Sequence, residues 1–253
     1  MTMGSGSRLL VFVVFVLVVV ATSSVTATLM KTSGVSDEVL GKKIADFVVK
    51  NPEVIARSLQ RAQAQQQEQE AQDAQKNIGD SRKELENDSG TPFMGNPKGD
   101  VVVVKFNDYN CGFCKRVAPE IEKAIAADKN LKVVIKEFPI LGESSEKAAR
   151  AAQAVFFFAP EKYAEFHHAL MNANIRDENS IYTEAKKLGI DADRLKKEMN
   201  SEKVVAQIQK HQALGQKIGV RGTPTFVING ELQRKQTSAD TIKEEAAKFR
   251  SAH

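Results

Sequence analysis

Two cysteines, Cys111 and Cys114, are separated by two residues and follow the strand-like run Val101–Phe106. Sulfurs at this spacing can exchange disulfides, because one thiolate attacks a foreign disulfide while the neighbouring thiol waits to resolve the adduct. At the first turn of a helix, unpaired backbone N–H groups and the helix dipole favour a thiolate. The order strand, CxxC, helix therefore predicts Cys111 as the nucleophile and Cys114 as the resolving thiol.

A CxxC pair can also be half of a zinc site or a structural disulfide. Structural zinc needs four ligands, and the chain has no second CxxC. His167 and His168 are consecutive on a predicted helix, so we expect them to point in different directions. A disulfide closed over so few residues constrains the unfolded chain little. We therefore predict a redox site that needs neither a metal nor another cofactor.

A second motif, Gly222-Thr223-Pro224, opens the late strand-like run Thr225–Ile228. Proline is tolerated at the start of a strand, and an X–Pro bond is where a cis peptide costs least. A cis bond would present the Thr223 backbone to an extended substrate beside Cys111. Alone, the motif is more often a plain turn, but together with the CxxC it predicts substrate binding at Thr223 and Pro224.

The elements around these motifs indicate an α/β domain. A strand, the CxxC helix and a second strand at 131–138 form a βαβ unit, which calls for a parallel sheet covered by helices. The pattern over about 143–217 is almost entirely helical. Asn229-Gly230 between two extended runs then predicts a hairpin. We predict one domain over 91–253 with a helical insertion.

The amino terminus is typical of a secretory signal. Arg8 precedes the apolar stretch Leu9–Ala21, and small residues then lead to a plausible cleavage site at Val25–Ala27. The apolar stretch is shorter than the roughly 20 residues that span a bilayer. We predict a signal peptide at 1–27 and export to the periplasm, where the protein could also associate with the cell envelope. An uncleaved membrane anchor is the alternative.

Residues 28–90 are predicted to be a helical, glutamine-rich segment. Apolar residues at helical spacing give amphipathic helices before and after Asn51-Pro52, and half of the residues from Gln60 to Gln75 are glutamine. A weak heptad series follows at Ala71, Ala74, Ile78, Ser81 and Leu85.

Two interpretations of this segment stay open: a solvated helical linker, or an oligomerisation stalk. We favour the stalk, and so a homodimer or homotrimer, because the apolar faces of residues 39–59 need a partner. Nucleic acid is not an expected partner, since the net charge is only +4 and the aromatic residues show no basic interleaving.

From about Gly95 onwards the sequence resembles the DsbA family of exported thiol–disulfide oxidoreductases in the thioredoxin superfamily. The matching segments are Phe106–Cys114, Val133–Leu141 and Gly219–Val227. The resemblance implies a thioredoxin fold with a helical insertion, preceded here by an N-terminal helical extension. It also implies cysteine-containing envelope or secreted proteins as substrates and a membrane redox partner of the DsbB or DsbD type.

Members with an N-terminal extension are most similar over the full length, among them the suppressor-of-copper-sensitivity type, the dimeric isomerase-like DsbA proteins and a surface-antigen branch. Two departures from the family pattern concern the site. Gly112-Phe113 replaces the Pro-His pair of strongly oxidising members, and Lys105 stands where many relatives carry glutamate. The usual carboxylate proton relay is therefore in question, and Glu137 is the candidate substitute.

These features predict an oxidoreductase with isomerase or reductase character. A monomeric oxidase that is recharged by a membrane quinone-linked partner is the alternative within the same class. A second alternative is a non-enzymatic surface or chaperone-like protein, although that role would not explain why both cysteines lie at CxxC spacing beside a Thr-Pro loop.

Overall fold

The computed structural model describes residues 37–233 and 237–252, and the predicted signal peptide at 1–27 lies outside this part of the chain. The chain divides into two compact units, residues 1–65 and 66–253. The predicted boundary at residue 90 stays a prediction. No helix within the described residues is long and apolar enough to cross a membrane.

The described part of the first unit is helical. Helix α1 covers Asp37–Lys50, and helix α2, Pro52–Asp80, begins here and continues into the second unit. Asn51 separates the two helices, and its side-chain Nδ2 donates to the carbonyl oxygen of Phe47 at 2.7 Å. The apolar side chains of this unit include Leu40, Ile44, Phe47, Ile55 and Leu59, all of them exposed.

The second unit is built on a five-stranded sheet in the order β1-β3-β2-β4-β5. β2 and β3 are parallel, as the βαβ pattern predicts, whereas β1, β4 and β5 run antiparallel to their neighbours. The sheet is therefore mixed rather than parallel. The strands are β1 Phe93–Gly95, β2 Val101–Asn107, β3 Leu131–Glu137, β4 Thr225–Ile228 and β5 Glu231–Gln233.

Helices cover both faces of this sheet. Helix α4 carries the CxxC, and the predicted helical insertion is present between β3 and β4. The helices are α3 Arg82–Glu86, α4 Gly112–Ala127, α5 Glu143–Phe158, α6 Tyr163–Asn172, α7 Glu178–Lys187, α8 Ala192–Glu198, α9 Glu202–Lys217 and α10 Ala239–Ser251, with a 3₁₀ turn at Pro160–Lys162.

Alternate residues of each strand enter two separate cores, because successive side chains point to opposite faces of a sheet. Val103 and Ile135 face a larger core that contains both cysteines and much of the insertion. Val104 and Phe106 face a smaller core, which also receives Ile78 and further apolar side chains from α3 and α9 and from the segment that follows α9.

The smaller core corrects the interpretation of the predicted heptad series. Ala74, Ile78, Ser81 and Leu85 are all buried within the second unit of the same chain. They are therefore neither a solvated linker nor a seam between chains. Helical core packing and a heptad seam both place apolar residues three or four positions apart, so the spacing alone does not distinguish them.

Polar contacts also fix the stretch that follows α3. Lys136 on β3 is fully buried on the smaller-core side, and its Nζ donates to the Glu84 carbonyl oxygen at 2.7 Å and to Thr91 Oγ1 at 2.9 Å. Thr91 Oγ1 lies 2.9 Å from His211 Nε2 on α9. This network joins the predicted loop at 87–92 to the sheet, where the sequence indicates only a boundary.

Candidate redox site

Cys111 is the N-cap of α4, and the two thiols face each other across the first turn of this helix. The backbone N–H of Cys114 donates to Cys111 Sγ at 3.4 Å, and both thiols are free. Asp108 holds the preceding loop, since its Oδ1 accepts from the Asn110 N–H and its Oδ2 from the Ile140 N–H, both at 2.8 Å. The site thus begins at the helix start that the sequence predicts.

The second motif lies beside the first, although the two are far apart in the sequence. The Thr223–Pro224 peptide bond is cis, and the Cys111 thiol donates to the Thr223 carbonyl oxygen at 3.1 Å. β4, which starts at Thr225, pairs with β2, the strand that leads to the CxxC. The sheet therefore brings both predicted motifs to one edge.

The two thiols lie in different electrostatic surroundings. Burial by itself raises the pKa of Cys111, but hydrogen bonding by the Thr223 side chain and by the backbone N–H groups of Cys114 and Phe113 outweighs it, so this pKa is lowered from its ordinary value. Burial raises the pKa of Cys114 to about 12, against the opposing charge of Lys105. Cys111 is therefore the thiol more readily ionised, which favours it as the nucleophile.

Gly112 and Phe113, between the cysteines, offer no polar side chain to either thiol. A Cβ at Gly112 would meet nothing within 4 Å, so packing does not require glycine there. The Phe113 ring is 62% exposed and lies beneath the Arg116 guanidinium, 4.1 Å from its centroid. No side chain at these two positions adds to the stabilisation of the Cys111 thiolate.

Two ionisable side chains, Lys105 on β2 and Glu137 on β3, are buried beneath the CxxC. Burial lowers the pKa of Lys105, while the charges of Cys114 and Glu137 oppose that shift. Burial raises the pKa of Glu137 to about 8, although the Tyr109 hydrogen bond and Lys105 act to lower it. Lys105 thus lies near Cys114, and the Glu137 carboxyl comes from the neighbouring strand.

Tyr109 and His167 complete this buried group, and the sequence predicts neither of them as site residues. The Tyr109 hydroxyl donates to Glu137 Oε1 at 2.8 Å and lies 2.7 Å from His167 Nδ1. Burial lowers the pKa of His167 well below its ordinary value, so this ring is neutral and its Nδ1–H can donate to the Tyr109 oxygen. His168 instead is exposed and contacts Glu122, which confirms that the adjacent histidines point in different directions.

Among the residues that the structure describes, no three His, Cys, Asp or Glu side chains cluster as metal ligands would. The thiols, the Thr223–Pro224 loop and the buried ionisable groups lie together at this edge of the sheet.

Known proteins resemble the chain over this region. A family model described as "DSBA-like thioredoxin domain" matches residues 102–247. Disulfide bond formation protein D of Bacillus subtilis is 28% identical over 167 residues, which cover 61% of this chain and 75% of that protein.

Two solved structures extend the likeness. A thioredoxin-like oxidoreductase from Silicibacter pomeroyi is 39% identical with a TM-score of 0.64, covering 68% of this chain and 99% of its own. Proteus mirabilis ScsC in a transitional conformation is 26% identical with a TM-score of 0.65, covering 86% of this chain and 98% of its own. These matches confirm the predicted thioredoxin fold with a helical insertion and an N-terminal helical region. The chain belongs to the DSBA-like thioredoxin domain family and is a thiol–disulfide oxidoreductase of the DsbA and ScsC type.

Proposed function

We propose that the chain exchanges disulfides with cysteine-containing envelope or secreted proteins through Cys111 and Cys114, with isomerase or reductase character. The observation that carries the proposal is the difference between the two thiols. Cys111 Sγ lies beside the Thr223–Pro224 loop and accepts a hydrogen bond from the Cys114 N–H at the start of α4. Cys114, in contrast, is fully buried. We therefore assign Cys111 as the attacking thiol and Cys114 as the resolving thiol.

The exchange proceeds in two steps. The Cys111 thiolate attacks one sulfur of a client disulfide, the client S–S bond breaks, and the leaving thiolate takes a proton from water. Cys114 then loses its proton and attacks Cys111 Sγ, which breaks the mixed disulfide and releases the second client thiol. The client gains two electrons, and Cys111 and Cys114 form a disulfide. In isomerisation, a second client thiol attacks the mixed disulfide first and leaves Cys111 reduced.

The surface around Cys111 favours unfolded clients. Phe113, Ile140 and Leu141 are exposed apolar side chains, and the backbone of the last two is held by Asp108, just before the CxxC. Thr223 and Pro224 are partly exposed and can pair with an extended client segment. A misfolded protein presents both apolar side chains and an extended backbone, so it suits this surface.

Gly112 and Phe113 support the isomerase or reductase direction, because a less stabilised thiolate makes the disulfide a weaker oxidant. We expect a reduction potential nearer the roughly −180 mV of protein disulfide isomerase than the roughly −120 mV of strongly oxidising DsbA. We also expect the chain to reactivate scrambled ribonuclease in a glutathione buffer. Equilibration with glutathione gives the potential, and ribonuclease activity follows reactivation. A strongly oxidising potential without reactivation would contradict this direction and favour a dedicated oxidase.

We propose that the apolar faces of α1 and of the start of α2, within the predicted segment 28–90, hold two or three copies together. Phe47 is 56% exposed, and Leu40, Ile44, Ile55 and Leu59 are exposed as well. Burying such faces between copies stabilises an assembly at about 25 cal/mol per Å² of apolar surface. Several sites around one client would also raise their effective concentration.

Replacing Phe47 by aspartate is expected to lower the molecular mass in solution to that of the monomer, because the charge would have to be buried in the contact. Light scattering of the full mature chain measures this mass, and Glu38→Gln on the same helix is the control, since Glu38 is exposed and polar. A wild-type chain that is already monomeric would remove the support that this surface gives to isomerase function.

Export and the redox partner complete the proposal. The predicted signal peptide supports a periplasmic location, where client disulfides form. A membrane protein of the DsbB or DsbD type would then restore the required oxidation state of Cys111 and Cys114.

A further inference from the structure

Lys105 is a buried charged residue of the site, and the two steps of the exchange as proposed assign it no role. Its side chain is 1% exposed, and it pairs across the sheet with Ile135 on β3 and Phe226 on β4. No hydrogen bond or ion pair of the Lys105 ammonium is found among the residues that the structure describes. A buried cation in such apolar surroundings is costly unless a charge nearby offsets the loss of water.

The groups that face Lys105 come from three elements. Strand alternation puts Lys105 on the same face as Val103 and Ile135, in the larger core that holds both cysteines. Its charge acts most strongly on Cys114, then on Glu137, and after these on Cys111. The titratable groups that face it are Cys111, Cys114 and Glu122 from α4, Glu137 from β3 and His167 from α6.

These neighbours differ in the negative charge they can offer. Glu137 shares its Oε1 with the Tyr109 hydroxyl, and burial holds part of this carboxyl in its neutral form near pH 7. His167 is neutral, and Cys114 is a neutral thiol until it resolves the mixed disulfide. During resolution, when Cys111 is bound in the mixed disulfide, the change in charge near Lys105 is therefore the ionisation of Cys114.

We propose that Lys105 is the counter-charge for the Cys114 thiolate and so sets the rate at which the mixed disulfide is resolved. This inference rests on the proposed exchange function and adds a residue to it. The Cys114 proton leaves to solvent water, the thiolate forms beside the Lys105 ammonium, and its attack on Cys111 Sγ breaks the bond to the client. The negative charge then leaves with the client thiolate.

Lys105→Met tests the proposal, because methionine keeps an unbranched side chain of similar length and removes the charge. Without the cation, the thiolate fraction of Cys114 falls by about ten- to a hundredfold, while its greater basicity restores part of the reactivity. We expect resolution at pH 7 to slow by about three- to tenfold. Lys105→Arg keeps the charge and is expected to restore much of the rate.

For Glu137→Gln we expect the opposite change, a faster resolution of the mixed disulfide. It removes the anion that competes with Cys114 for Lys105 and keeps an oxygen for the Tyr109 hydroxyl. Resolution should be faster than in the wild type at pH 9, above the pKa of Glu137 of about 8, and unchanged at pH 6. This variant still tests the proposal if Lys105→Met does not fold.

The measurement is the release of a chromophoric peptide thiol from a mixed disulfide formed on Cys111, followed in single turnovers from pH 5 to 10. A wild-type chain that forms no mixed disulfide would overturn the exchange function itself. A wild-type chain that forms and resolves it, with Lys105→Met equal in rate across this pH range, would overturn only the role of Lys105. So would a Glu137→Gln variant that resolves no faster at pH 9.

Discussion

The Cys111→Ala variant is expected to lose disulfide exchange by more than about a thousandfold, because it lacks the thiolate that forms the covalent intermediate. Cys114 cannot substitute for Cys111. It is fully buried, and burial raises its pKa to about 12, so it offers a foreign disulfide neither access nor a thiolate near neutral pH. The rate of reduction of a disulfide-bonded fluorescent peptide, with dithiothreitol as the electron source, measures this loss.

Cys114→Ala is the matched control for this variant. It keeps the attacking thiol and the start of α4, so it should form the mixed disulfide at close to the wild-type rate and fail only to resolve it. If Cys111→Ala retained exchange and Cys114→Ala did not form the adduct, the two roles would be reversed.

Ile78→Ala is expected to lower the free energy of unfolding by about 2–5 kcal/mol. Ile78 is 0% exposed and packs in the smaller core with Val104 and Phe106, so truncation removes apolar contacts and leaves a cavity. Urea unfolding, with the midpoint and slope fitted together, measures the change. The expected loss would show that the end of α2 stabilises the domain that carries the CxxC.

Ile55→Ala, in the same helix, is the control with the same change of side chain. Ile55 is 46% exposed, so in dilute solution its truncation should change the free energy of unfolding by about 0.5 kcal/mol or less. Equal effects of the two substitutions would contradict the placement of Ile78 in the core.

The sequence predicts the reactive edge of the sheet well, because its signals are local. The CxxC after a strand, Pro224 at a strand start and Asn229-Gly230 between extended runs each restrict a few backbone angles. The structure has the expected helix start, the cis bond and the hairpin, with positive φ at Asn229 and Gly230. Which of these residues act on substrate remains a prediction.

The surroundings of the site are less predictable, because they depend on contacts between distant segments. His167 meets Tyr109, which donates to Glu137, only once α6 packs on the sheet, and no spacing in the sequence indicates that contact. Strand β1 is only three residues long, too short for a periodic pattern. The spacing of Ile78 in α2 likewise does not show whether it packs on the sheet of its own chain or against another copy.

Trapping a mixed disulfide on the Cys114→Ser variant tests most directly whether this chain exchanges disulfides through Cys111. The full mature chain is reduced, mixed with a disulfide-bonded peptide, blocked with an alkylating reagent and digested for mass spectrometry. We predict a stable adduct of one peptide per chain, joined through Cys111, and no adduct when Cys111 is replaced as well. Absence of the adduct from the Cys114→Ser variant, with the variant folded, would contradict the proposed exchange through this site.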